Sequence, residues 1–419
     1  MMRRMVLTVL VLVLSLYCVA EAWAANAPIE YNDVKGKNGM VAAANELASR
    51  VGVEILQKGG NAIDAAVATA LALNVVEPNA SGIGGGGFAT IRLADGTIVC
   101  WDFREMAPGA STKDMYASEQ SQKEKWTEIG GKSVGVPGSV SGLFTILGKY
   151  GTLSFAEVAA PAIKLAEEGF TVDKLLASMV EENFEKISAY NPEGTPYTPG
   201  GLPIQAGDTL SNPALAKTFK LLAEKGPDIF YKGEVGDAVV ATVTKAGGIM
   251  TKADLGSYKI EQREPVTGTY RGFTVIGPPP ASSAGVHVME ILNIMENFPV
   301  ASWGHNGERF LHTLAETSKM MFADRSRYMA DTAYAKVPIR GLASKAYAEK
   351  QAARIGEEAM TVIEAGDPWP FDESPKVSCE PAGEHNAHHS TTHFSVMDSK
   401  GNIVAWTWTI NFFFGSGVF

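Results

Sequence analysis

The stretch Thr391-Thr392-His393-Phe394-Ser395-Val396 alternates polar and apolar side chains and reads as the first strand of a hairpin. The return strand spans 403–411. The connection Asp398-Ser399-Lys400-Gly401-Asn402 suits a three-residue loop, a type I turn followed by Gly401 in the left-handed conformation. That loop sets Asp398 opposite Asn402 and Thr391 opposite Thr409, with Asn411 just beyond the end of the pair. One face then collects Thr392, Phe394, Val396, Val404, Trp406, Trp408 and Ile410. The other collects Thr391, His393, Ser395, Thr407, Thr409 and Asn411. A slip of one residue would mix the two sets, which supports this register. The apolar face is expected to pack on a core. The hydroxyl-rich face is either a place for chemistry, with Thr391 at its edge, or a Thr-rich solvated strand; taken alone, the pattern favours the solvated strand.

The remaining composition supports a folded protein. The chain has 419 residues, 46% hydrophobic and 20% charged, enough for one large domain or two ordinary ones. A net charge of −10 and the lack of a concentrated basic face argue against a nucleic-acid partner. Arg3 and Arg4 followed by the uncharged apolar run 5–20 read as an export signal. Two small-x-small sites follow, Ala20-Glu21-Ala22 and Ala22-Trp23-Ala24. The run is short for a membrane span, which needs about 20 residues. Cleavage after Ala24 or Ala25 is expected, giving a periplasmic or extracellular protein, with an uncleaved anchor as the alternative. Tyr17 before Cys18 speaks against lipid attachment there. Removing 1–24 leaves Cys100 and Cys379, too few for a disulfide framework.

From Gly39 the pattern reads as helical through Val41 to Leu56, stopped by Gly59-Gly60. Asn61 is placed to cap a second helix, 62–75, with Asp64 in its first turn. That helix is so rich in Ala and Leu that it must be buried between layers. Ser81-Gly82-Ile83-Gly84-Gly85-Gly86-Gly87 follows it and precedes a strand from Phe88. A phosphate loop needs strand, glycines, helix, and the order here is helix, glycines, strand. Gly130-Gly131-Lys132-Ser133 fails as well, because Trp126 stands where the first glycine belongs. The glycines fit close backbone packing beside a sheet or a ligand.

Strands 88–93 and 97–103 flank the turn Ala94-Asp95-Gly96, and Arg104 ends the second strand. An Arg there either pairs with a structural carboxylate or clamps a substrate carboxylate; position alone favours the structural pairing. Residues 140–272 read as mainly helical with surface loops. The loop Gly277-Pro278-Pro279-Pro280-Ala281-Ser282-Ser283-Ala284-Gly285 precedes a helix at 286–297, its serines lining a pocket or capping that helix. Another helix, 307–321, continues through Ala323-Asp324-Arg325. Residues 361–390 lack periodicity and read as a mobile or processed segment. His385, His388 and His389 within it have no preformed geometry, so no metal site is expected.

An aperiodic run ending directly at a strand-initial Thr suggests a scissile bond, Ser390–Thr391. A Thr hydroxyl is a weak nucleophile without a base beside it. Cutting this bond gives Thr391 an α-amine with a reference pKa near 7.7–8.0, able to take the proton from its own Oγ1. No His-Asp pair and no cofactor are needed. The motifs now form a set: Gly59-Gly60-Asn61-Ala62-Ile63-Asp64-Ala65-Ala66, Glu77-Pro78, 81–88, Asp102-Phe103-Arg104-Glu105-Met106-Ala107-Pro108, Pro278-Pro279-Pro280, Ala323-Asp324-Arg325, Thr391-Thr392-His393 and Thr407-Trp408-Thr409-Ile410-Asn411. From about Gly39 to the end the chain resembles the precursors of γ-glutamyltranspeptidases (glutathione hydrolases), of the N-terminal nucleophile hydrolase superfamily.

The resemblance implies an α/β fold, an αββα sandwich, cut autocatalytically into a large-subunit region, 25–390, and a small subunit beginning at 391–419, both in one domain. It implies that Thr391 attacks the γ-glutamyl carbonyl, that Thr409 holds Thr391, that Asn411 meets the glutamyl amino end and that Arg104 clamps the α-carboxylate. This reverses the structural preference for Arg104. The implied substrates are glutathione and other γ-glutamyl compounds, with water, amino acids or peptides as acceptors. In the family most of the small subunit should follow Phe419, carrying an acidic residue, a serine pair and a Gly-Gly oxyanion hole. The 419-residue chain alone is therefore expected to be an inactive truncated precursor, which hydrolysis of a γ-glutamyl anilide by it would refute. Phe412-Phe413 are expected to make the local wall apolar. Alternatives are an acylase for β-lactam side chains or a poly-γ-glutamate depolymerase, and, from another class, an exported non-catalytic binding protein.

Overall fold

In the computed structural model, residues 34–373 and 390–419 are described. Residues 1–24, read from sequence as an export signal, together with Cys18, Cys379, His385, His388 and His389, lie outside the described residues. The C-terminal hairpin forms in the expected register: Trp408 faces Thr392, Trp406 faces Phe394 and Ile403 faces Met397. Gly401 closes its turn with φ 86°. Asp398 Oδ1 accepts the backbone N–H groups of Lys400 and Asn402 at 2.9 and 3.0 Å, which holds the loop shut.

Six antiparallel strands make the main sheet: β1 (Gly39–Ala42), β2 (Gly86–Arg92), β3 (Ile98–Asp102), β4 (Glu261–Arg263), β5 (Thr392–Asp398) and β6 (Ile403–Thr409). Their order is β1-β5-β6-β2-β3-β4, so the hairpin lies between strands from the other end of the chain. β1 corrects the sequence reading, which began a helix at Gly39. The helix α1 spans Glu46–Gln57 and is capped by Asn45. Residues 39–42 extend instead because their partners, Ser395 to Asp398, offer a ladder that local propensity cannot reveal.

Asn61 and Asp64 form a reciprocal capping box at the start of α2 (Ala62–Val76). Asp64 also accepts Thr152 N, Thr152 Oγ1 and Leu153 N at 2.8, 2.6 and 3.1 Å. All of α2 is buried. It packs on the apolar hairpin face, where Phe394, Val396, Val404, Trp406 and Trp408 are each at most 1% exposed. Each such side chain contributes roughly 1.5–3 kcal/mol. Trp406 lies 5.2 Å from Phe103, and Trp408 Nε1 donates to Ser139 Oγ at 2.6 Å.

The glycine run packs against β6. A Cβ at Gly85 would lie 2.0 Å from the Thr409 carbonyl oxygen, and one at Gly87 2.1 Å from that of Thr407. The helices Ala284–Met295 and Glu308–Tyr328 form near their expected places, the second as one 21-residue element. Ser282 Oγ accepts Ala284 N at 3.3 Å, a local turn bond, while the N-cap residue Ser283 makes no side-chain bond to the helix. The fold is mixed α/β. Of the four expected layers, the described residues show helices on one face of this sheet; on the other face His393, Ser395 and Met397 are exposed. Among the described residues no helix is long and apolar enough to cross a membrane.

Candidate functional site

Ser390, Thr391, Thr409 and Asn411 meet where the hairpin ladder ends. Thr391 is exposed, whereas Ser390 and Thr409 are buried. The Ser390 carbonyl oxygen lies 2.7 Å from Thr409 Oγ1 and 2.8 Å from Thr391 Oγ1, and the two hydroxyls are 3.1 Å apart. Each hydroxyl has one proton. Thr409 gives its proton to the carbonyl and accepts the Asn411 N–H at 2.8 Å. The Thr391 proton has the Ser390 carbonyl and Thr409 Oγ1 as alternative acceptors. The Ser390 N–H donates to the Asn411 carbonyl at 2.6 Å, so the residue before the candidate scissile bond is held at both ends.

Asn411 takes this position in the left-handed conformation, φ 68°, which Asn tolerates better than most residues. Its side chain binds two neighbours from the end of β3. Arg104 Nη2 donates to Asn411 Oδ1 at 3.1 Å, and Asn411 Nδ2 donates to Glu105 Oε1 at 2.5 Å. Arg104 Nη2 and Glu105 Oε1 are 3.2 Å apart. Arg104 is thus both structurally paired and half-open at the site, and the two sequence alternatives are not exclusive. Glu105 Oε2 is buried without a hydrogen-bond partner among the described residues. Glu105 received no role from sequence; its signal was adjacency to Arg104 in the motif 102–108.

Behind the strand, burial raises the Glu77 carboxyl pKa, and the Thr392 hydroxyl beside it works in the opposite sense. Beyond Asn411 the chain turns and is fastened from several sides. Phe414 N donates to Asn79 O at 3.0 Å and Gly130 N to Ser416 O at 2.9 Å. Lys186 Nζ donates to the carbonyls of Phe413 and Gly415. Burial pushes that ammonium down to about 8, with Glu128 opposing. Phe412 and Phe413 are half-buried, Phe413 packing against the main core, and the next residue, Phe414, is buried beside Tyr197 at 5.6 Å.

The arrangement presents one carbonyl to two hydroxyls, with an Arg, an Asn and a carboxylate alongside. Such a grouping has the parts that acyl transfer by a Thr hydroxyl needs, a nucleophile-type oxygen beside a carbonyl and a second hydroxyl donating to that carbonyl.

A family model described as Gamma-glutamyltranspeptidase matches residues 48–419. The chain is 39% identical to the glutathione hydrolase proenzyme of Escherichia coli (strain K12), over 93% of this chain and 65% of that protein. It is 40% identical to the Acylase ACY 1 proenzyme of Pseudomonas sp. (strain SE83), over 94% of this chain and 69% of that protein. The chain therefore spans about two thirds of the length of these curated relatives. The crystal structure of Helicobacter pylori gamma-glutamyltranspeptidase superimposes with a TM-score of 0.78 at 40% identity, covering 82% of this chain and 99% of that one.

Proposed function

The chain belongs to the gamma-glutamyltranspeptidase family, and from that premise we propose that the whole protein is a self-cleaving γ-glutamyltransferase and glutathione hydrolase. The observation carrying this reading is the Ser390 carbonyl held against the hydroxyls of Thr391 and Thr409. Thr391 Oγ1 adds to the Ser390 carbonyl carbon, the Ser390–Thr391 C–N bond breaks, and the proton given up by Oγ1 ends on the nitrogen, which becomes the α-amine. The product is an ester between Ser390 and Thr391 Oγ1, which water opens to leave Ser390 as a carboxylate and Thr391 as a new N-terminus.

The freed amine takes the Oγ1 proton, and Thr391 attacks the γ-glutamyl carbonyl of glutathione or a related compound. The leaving amine gains a proton and departs, leaving the γ-glutamyl group esterified to Thr391. Water or the amine of an amino acid or peptide then accepts it. In this scheme Thr409 holds Thr391, Asn411 meets the amino end of the glutamyl group, and Arg104 clamps its α-carboxylate bidentately. Residues 25–390 would form the large subunit, and the small one would begin at Thr391. The sequence features at 1–24 support export to the periplasm or beyond.

The identity to an acylase proenzyme supports a second reading, in which the acyl group lacks the amino-acid end. The paired Arg104 and Asn411 favour the γ-glutamyl reading. Incubation of the purified whole protein should yield two pieces, one with Thr391 as its N-terminus, and turnover of a γ-glutamyl anilide above that of a glutaryl anilide. Thr391→Ala should remain a single uncut chain; cutting of that variant at the same bond would remove Thr391 from the scheme.

A further inference from the structure

The main chain of Arg104 is gripped from both sides. Its N–H donates to Asp102 Oδ1 at 2.9 Å, and its carbonyl accepts the Tyr258 hydroxyl at 2.8 Å. Asp102 is buried and is itself fixed, because its other oxygen accepts Arg263 Nε at 2.6 Å. Arg263 is held in turn by Glu261 at 2.9 Å and by the Thr332 hydroxyl at 3.2 Å.

Tyr258 reaches Arg104 from a distant part of the chain, just after the short helix Lys252–Ser257. Its ring stacks on Tyr231 with centroids 5.8 Å apart. The Tyr231 hydroxyl donates to the Pro137 carbonyl and accepts the Ser141 N–H, each at 3.0 Å. Gly138 leaves the room this requires: a Cβ there would lie 2.1 Å from Tyr258 Oη and 2.1 Å from the Phe103 carbonyl oxygen. Burial first, then Tyr231 and the nearby carboxylates of Asp102, Glu105 and Glu261, push the Tyr258 phenol far up. Near neutral pH the phenol is a neutral donor.

The tip of Arg104 meets Asn411 and Glu105 while its root is held by Asp102 and Tyr258. A guanidinium tells a carboxylate from a neutral group by two parallel hydrogen bonds, and that geometry tolerates little displacement of the root. We propose that Tyr258 is a specificity-positioning residue, whose hydrogen bond to the Arg104 carbonyl sets the reach of the guanidinium toward the substrate α-carboxylate. Tyr258 acts through Arg104 and does not touch the substrate. The inference rests on the assignment of Arg104 as the carboxylate clamp.

The test compares kcat/KM for a γ-glutamyl anilide and for its α-carboxamide counterpart, using the self-cleaved whole protein. Tyr258→Phe removes one hydroxyl and keeps the ring, and its self-cleavage and thermal midpoint are checked in parallel. The expected result is a preference for the carboxylate substrate reduced about three- to tenfold, through KM, with kcat within about twofold. A structural role alone would weaken both substrates equally and leave the preference unchanged, which overturns the proposal. Arg104→Lys separates the two inferences and is expected to cut the preference by at least about tenfold. If that variant loses the preference and Tyr258→Phe keeps it, the role of Tyr258 falls alone. If Arg104→Lys keeps it, the clamp assignment falls and the role of Tyr258 with it.

Discussion

Ser390 offers its carbonyl to two hydroxyls, and the roles of those hydroxyls differ. Thr409 is buried, donates at 2.7 Å and is oriented by the Asn411 N–H it accepts, so its proton is committed to the carbonyl. Thr391 is exposed, and its proton is shared between two acceptors, the Ser390 carbonyl and Thr409 Oγ1. Loss of one such donor costs about 10²–10³ in rate where it stabilises a developing oxyanion. Thr409→Val should therefore slow self-cleavage of the purified precursor by about 10²-fold, followed on denaturing gels, while Thr409→Ser stays within about tenfold of the wild type. Equal rates for Thr409→Val and the wild type would deny the hydroxyl any part in polarising that bond.

Among the elements, the hairpin and α2 are joined by one carboxylate. Asp398 closes the turn and also accepts the first N–H of α2, from Ala62, at 2.9 Å. Asn402 Nδ2 adds a bond to the same oxygen at 2.7 Å. Burial alone would raise the Asp398 pKa; the bonds from Asn402, Ala62 and Lys400 outweigh it and hold the carboxyl below its ordinary 3.8. Since the folded value is the lower one, the unfolded chain binds the proton first as pH falls. The contribution is complete above the unfolded value and is lost as pH drops through the folded one. Asp398→Ala should cost about 1.5–3 kcal/mol at pH 6, read from urea midpoints. The gap to the wild type should narrow below about pH 3.8 and not on the alkaline side.

Across the whole molecule, the cut proposed at Ser390–Thr391 falls beside strands that are paired on both flanks. β5 pairs with β1, and β6 with β2 along its length from Ile403 to Thr409. Cutting one peptide bond removes none of these ladders and leaves Trp406 and Trp408 buried. The two pieces of the cut protein should co-elute on gel filtration at neutral pH and separate only in denaturant. Spontaneous release of the smaller piece in native buffer would contradict this placement of the hairpin.

Two features were legible without the fold: the hairpin register and the cap of α2. Alternation over 391–410, the Gly401 turn and the Asn61–Asp64 spacing are local rules, satisfied between residues a few positions apart. The meeting of Thr391 with Thr409 followed from that register, and the family followed from motifs readable in order. Three other features required the tertiary structure: the extension of residues 39–42, the Glu105 bond to Asn411 and the Tyr258 hold on Arg104. Each joins residues more than a hundred positions apart, and such contacts leave no period in the sequence. A side chain's local pattern says which way it faces along its own element. Only the packing of distant elements decides what it meets there.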